Sequence, residues 1–218
     1  PFLPLVPDEP FPPQGALGIR PSIYGVQTWG KMFNPRQLLT LTSFVRAIRD
    51  AHAKMLYQRM GEGEAQAVAL YLSLALSRMS LRLSEGSRWD NTRDNIQTAT
   101  GGHRLPMIWD YAEVNALSGL TGSWSNTVDW ARDSIRRLVA AADSEVTVHW
   151  GDATRLPFDD NSFDAVLTDP PYYDSVPYSN LADMQYVWLH RALGDILPEY
   201  FPGHLTPKKS EVIKDVSR

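Results

Sequence analysis

Residues 163–169 read Phe-Asp-Ala-Val-Leu-Thr-Asp, and the chain continues Pro170-Pro171-Tyr172-Tyr173-Asp174. The run is short and nearly all apolar, the pattern of a parallel strand covered on both faces. Proline has no N–H for a ladder and restricts the residue before it, so the strand must stop at Asp169. This one feature predicts an α/β fold with a mainly parallel sheet and helices on its faces. In such sheets ligands bind just beyond the carboxyl ends of the strands.

A second strand is predicted from the alternation in "EVTVHWGD" (145–152), which stops at Gly151-Asp152. Two strands thus each end in an acid at the same edge, Asp152 and Asp169. The intervening "ATRLPFDDNS" is too short for a full crossover helix. "LPMIWDYAEVN" (105–115) predicts a short strand ending near Asp110 or Glu113.

The remainder is helical in period. Asn34-Pro35 reads as an N-cap followed by proline at the first helical position, with Leu38, Leu41, Val45, Ile48 and Met55 as its apolar stripe to about residue 60. Gly61 and Gly63 break it. A second helix is expected from Glu64 to Ser84, with Val68, Leu72, Ala75, Met79 and Leu83 inward, so residues 34–100 form a helical hairpin and a loop. Two more helices are expected at 126–142 and 180–193. Seven prolines lie in residues 1–21 and predict an extended lead-in over residues 1–33. Residues 101–218 are assigned to part of a catalytic domain.

The composition narrows the chemistry. The chain contains no cysteine, which excludes disulfides, thiolate zinc sites and thiolate nucleophiles, and fits a cytoplasmic location. The five histidines are scattered, so no metal site is expected. A net charge of −4 argues against a broadly basic surface while leaving room for a focused patch. Arg88, Arg93 and Arg104 bias one loop positively, and Lys208-Lys209 reads as a basic tail or a phosphate contact. No apolar run approaches the ~20 residues of a membrane span.

Asp169, the Pro170 carbonyl and the Tyr172 ring, held in a proline-fixed turn, suit one reaction. The exocyclic amine of adenine or cytosine is a poor nucleophile because its lone pair is conjugated with the ring. Two acceptors, a carboxylate and a carbonyl, can grip both amine hydrogens and favour a tetrahedral nitrogen. An aromatic ring can stack on a base flipped out of the duplex, worth about 1–3 kcal/mol. A methyl group would then pass in line from a sulfonium donor, by positioning and electrostatics alone.

With these residues in hand, "DPPY" after an apolar strand resembles motif IV of the amino-methyltransferases, which methylate adenine N6 or cytosine N4 with S-adenosylmethionine. "VTVHWGDATRLPFDDNSFDAVLTDPPY" is similar to the third and fourth strands of class I methyltransferases. That resemblance implies a partial class I (Rossmann-like) methyltransferase sheet with an α-helical insertion. Asp169, Pro170, Pro171 and Tyr172 would be catalytic, and Asp152 and the backbone of Ala153 would contact the cofactor. "WGKMFNPRQLLTL", "LPMIWDYAEVN", "DPPYYDSVPYSNLADMQYVWLHRAL" and "FPGHLTPKKSE" extend the likeness over most of the chain to the adenine-specific DNA methylases that carry a zinc ribbon and a DUF1156 region. The implied partner is duplex DNA with a flipped base, in a modification or phage-defence setting.

The F-x-G-x-G segment of such enzymes is missing here; "TGGHR" and "SGLTGS" lack the preceding apolar strand. In the resembled family that motif and the zinc ribbon lie upstream, so a portion of the enzyme with an incomplete cofactor site is expected. An RNA N-methyltransferase is the alternative with the same chemistry. Glutamine-modifying relatives carry Asn where this chain has Asp169. A non-catalytic nucleic-acid-binding or scaffold fragment is the alternative from another class.

Overall fold

A computed structural model of the chain describes residues 4–141, 146–149, 151–172 and 175–210. Four helices dominate: α1 (Pro35–Tyr57), α2 (Glu62–Ser80), α3 (Trp124–Ala141) and α4 (Tyr178–Leu193). A hairpin, β1 (Arg88–Asp90) with β2 (Asn95–Gln97), pairs Trp89 with Ile96. α2 is the central member and packs on the other three helices.

α1 begins as its sequence dictates. The Asn34 side chain accepts from the Gln37 N–H at 3.0 Å, and Gln37 Oε1 accepts from the Asn34 N–H at 3.0 Å. This capping box satisfies two orphan donors at the helix start. Leu41, Val45 and Ile48 are buried, as the stripe predicts. On α2 the expected Ala75 and Met79 are buried, with Leu83 just beyond, together with Ala65, Ala69, Ser73, Leu76, Ser77 and Ser80, and Val68 is exposed. Three helix neighbours explain why the buried side is broader than the expected stripe. Alanine and serine let helices approach closely where larger residues would hold them apart, and Gln185 of α4 donates to Ser77 Oγ at 3.0 Å.

The proline-rich lead-in is wound through the core. Phe11, Ile19, Trp29, Met32 and Phe33 are buried in the same cluster as Leu41, Leu76, Met184 and Trp188. Phe33 meets Trp188 edge to face at 5.2 Å, a favoured ring geometry. The lead-in folds back on itself through Phe11 N–H to the Gln27 carbonyl and Gly30 N–H to the Pro7 carbonyl. Gly30 is obligatory there, because a Cβ would lie 2.4 Å from the Pro7 oxygen. Arg191 of α4 then locks the lead-in down. It is 2% exposed, meets both Glu9 carboxylate oxygens at 2.8 and 3.0 Å, and donates to the carbonyls of Pro4, Val6 and Val187.

The C-terminal segment closes over the other side of α4. Buried Asp183 accepts from the Thr206 N–H at 2.9 Å, from Thr206 Oγ1 at 2.6 Å and from Lys208 Nζ. Tyr186 donates to the Gly203 carbonyl at 2.7 Å, and His190 stacks on Phe201. Burial, followed by the nearby His204 and Arg191, holds the His190 pKa below its ordinary value. The unfolded chain therefore takes up this proton more readily. The stability that neutral His190 contributes is present above pH ~6.5 and is lost as pH falls through the lowered folded-state value. Thermal melts between pH 7.5 and 5 should show a smaller acid-induced loss in His190→Gln than in the unaltered protein.

The expected parallel sheet is the main correction. Among the described residues the sheet is the β1–β2 hairpin alone. Residues 146–149 and 163–169 have no strand structure, and Val146, Val148, Val166 and Leu167 are 72%, 87%, 70% and 96% exposed. The physical reason lies in how strands are held. Unlike a helix, a strand satisfies its backbone only through neighbours, and none of the described residues pairs with these runs. The strand expected within 105–115 is likewise reduced to one bridge, Leu105 with Ile19. Among the described residues no helix is long and apolar enough to cross a membrane.

Candidate functional site

The acid–proline–proline–tyrosine turn stands on the surface. Asp169, Pro170, Pro171 and Tyr172 are all exposed, with Tyr172 at 70%. Its tie to the helical body is the Tyr172 N–H, which donates to Tyr178 Oη at 3.2 Å. Tyr178 opens α4, and the adjoining Val176, Pro177, Ser179 and Asn180 are buried. The turn is therefore set at the N-terminal end of a well-packed helix. Tyr173 and Asp174 lie outside the described residues.

Asp152 and Ala153 sit in a separate exposed turn. Asp152 Oδ1 accepts from the Thr154 N–H at 2.8 Å and from Thr154 Oγ1 at 2.7 Å, and these bonds hold its carboxyl below the usual range. Nearby, Phe158 contacts Phe163 and His149 edge to face.

Cavities among the described residues lie elsewhere. One of about 430 Å³ is lined by Arg36, Gln37, Phe44, Leu83, Val114 and Leu117, among others. A second of about 300 Å³ adjoins it across residues 113–115 and is lined by Trp89, Ile96 and Leu120. Glu113 stands at the boundary. It takes Arg36 Nη2 at 2.6 Å and Asn34 Nδ2 at 2.6 Å, and the Arg36 bond is the main cause of its lowered pKa. Glu85 is pushed the other way, first by burial and then by the Glu113 charge. The sequence text "LPMIWDYAEVN" contains Glu113, but nothing in it signals the pairing with Arg36, 77 residues away.

Asp152 and the Ala153 backbone are the positions expected to contact S-adenosylmethionine, and residues 169–172 those expected to be catalytic. Asp152, Ala153 and residues 169–172 line neither cavity and are open to solvent, and one Asp152 oxygen is committed to Thr154. Among the described residues, neither of these cavities encloses Asp152 or Ala153. Calorimetry with the 218-residue chain should accordingly show S-adenosylmethionine binding no tighter than roughly millimolar, about −4 kcal/mol. A micromolar Kd would overturn this reading.

Comparison with known proteins gives a similarity to a methyltransferase. Over 92 residues the chain is 34% identical to a demethylmenaquinone methyltransferase of Mycolicibacterium gilvum (strain PYR-GCK). The match covers 42% of this chain and 39% of that protein. No family model and no solved structure matches. The likeness to a named methyltransferase makes a methyltransferase family plausible for the chain, and goes no further than methyl transfer.

Proposed function

We propose that this chain carries the amine-gripping part of an S-adenosylmethionine-dependent DNA amino-methyltransferase, with adenine N6 favoured over cytosine N4. The observation that carries the reading is the Asp169-Pro170-Pro171-Tyr172 turn, presented at the surface and tied to the start of α4 through Tyr178. An extruded base can approach such a turn without any rearrangement of the core. Asp169 and the Pro170 carbonyl accept the two amine hydrogens, and Tyr172 stacks on the base. S-adenosylmethionine supplies an electrophilic methyl group when bound. The glycine-rich donor-binding motif of the resembled family is not among these 218 residues, and in this reading such a segment holds the donor. Residues 101–218 contribute the catalytic part, and the partner is duplex DNA.

A second reading is favoured by one observation, the likeness to a demethylmenaquinone methyltransferase. That reading is carbon methylation of a prenylated naphthoquinol. A carbon nucleophile, however, has no pair of amine hydrogens for Asp169 and the Pro170 carbonyl to take. The two are separated by offering labelled S-adenosylmethionine, with the glycine-rich segment supplied, to duplex DNA and to demethylmenaquinol in parallel. Label in DNA is expected; label in the quinol alone would overturn the DNA assignment.

A further inference from the structure

Arg78 and Arg82 lie one helical turn apart at the end of α2 and just beyond it, both half-buried. Like charges at this spacing repel on a helix surface, and burial makes each costlier. The acid-rich chain supplies no carboxylate to them: among the described residues neither arginine has an ion-pair partner. The carboxylates of Asp129 and Asp133 on the facing helix α3 are engaged by Arg132, and Asp133 also by Arg136.

Both guanidinium groups are nevertheless positioned. Arg78 lies over the ring of Trp130 at 3.9 Å, and Trp130 is 51% exposed. Arg82 donates through Nε to the Ile96 carbonyl at 3.3 Å. Its stem runs under the turn at Gly122 (φ +88°), where a Cβ would lie 3.1 Å from Arg82 Cδ and 3.2 Å from Val114. Packing of the Arg82 stem alone would explain one arginine; it does not explain a second, unpaired cation one turn away against an aromatic ring. Burial, then the Arg78 charge, lowers the Arg82 pKa, as expected for cations short of an anion.

We infer that Arg78, Arg82 and Trp130 form a phosphate site for the DNA backbone, the two guanidinium groups donating to one phosphodiester. This rests on the DNA reading above and assigns the α2–α3 face to substrate holding, away from the amine-gripping turn. Phosphate contacts of this kind fix register without reading bases.

The test combines two measurements on the 218-residue chain. In the unaltered protein, titration with inorganic phosphate should shift the Arg78 and Arg82 Nε–H resonances saturably; this arm does not depend on any variant folding. Binding of a labelled 20-base-pair duplex is then followed against salt. Arg78→Gln with Arg82→Gln should flatten the log–log salt slope by about 1 and weaken low-salt binding about tenfold, alike for unrelated sequences. The lysine pair should largely restore the slope. Unmoved resonances together with an unchanged slope would overturn the site, whatever the methyl-transfer assays show. Phosphate shifts in a protein that does not bind DNA would keep the anion site and overturn the DNA reading.

Discussion

Arg191→Ala should lower the unfolding free energy by about 3–5 kcal/mol, a fall in Tm of roughly 6–20 °C for a chain of this size. Every N–H of this guanidinium is used: two meet Glu9, and three meet the carbonyls of Pro4, Val6 and Val187. Glu9 is 4% exposed and would be left as an uncompensated buried carboxylate. Desolvating a charge is costly, and the pair is tolerated only because geometry and hydrogen bonds are complete. The loss would spread, since Arg191 holds the lead-in that brings Phe11 and Trp29 into the core. Glu9→Ala should be similarly damaging. Glu9→Leu combined with Arg191→Met should recover much of the loss, because an apolar pair leaves no buried charge. Denaturant unfolding of the four proteins measures the coupling; an Arg191→Ala loss under ~1 kcal/mol would contradict the role assigned to the pair.

The second large effect is on activity. Asp169→Ala should slow methyl transfer to DNA by about 10²–10³-fold, the usual consequence of removing one group aimed at charge that develops in the transition state. Its side chain is exposed and has no structural partner among the described residues, so stability should change by no more than ~0.5 kcal/mol. Asp169→Asn keeps an acceptor but loses the charge, and should fall between the two. Tyr172→Ala removes a stacking surface and should cost about 1–3 kcal/mol in base binding. Measured together, these variants separate gripping the amine from holding the base.

Local signals in the chain were legible and non-local ones were not. Asn34, Pro35 and Gln37 carry a complete helix start within four residues, and α1 begins there. The period of 126–142 and 180–193 likewise marks α3 and α4, whose observed starts lie two residues earlier. On α2 the expected Ala75, Met79 and Leu83 are buried, and three packing helices also bury the small residues Ala65, Ala69, Ser73 and Ser77 while leaving Val68 exposed. The prolines predict an extended lead-in, whereas its place in the core depends on contacts such as Glu9 with Arg191, some 180 positions away. At the site, Asp169 to Tyr172 are legible as text. Their apolar run predicts a strand, but a strand exists only with neighbours, and Leu167 stands 96% exposed without one.

The most direct measurement is single-turnover transfer of a labelled methyl group to duplex DNA, in a protein that includes the glycine-rich donor segment, comparing aspartate and alanine at position 169. The expected result is N6-methyladenine from the aspartate protein and at least a hundred-fold slower formation from the alanine variant, with both equally folded. Equal rates in the two proteins would contradict the assignment of Asp169 as the grip on the amine.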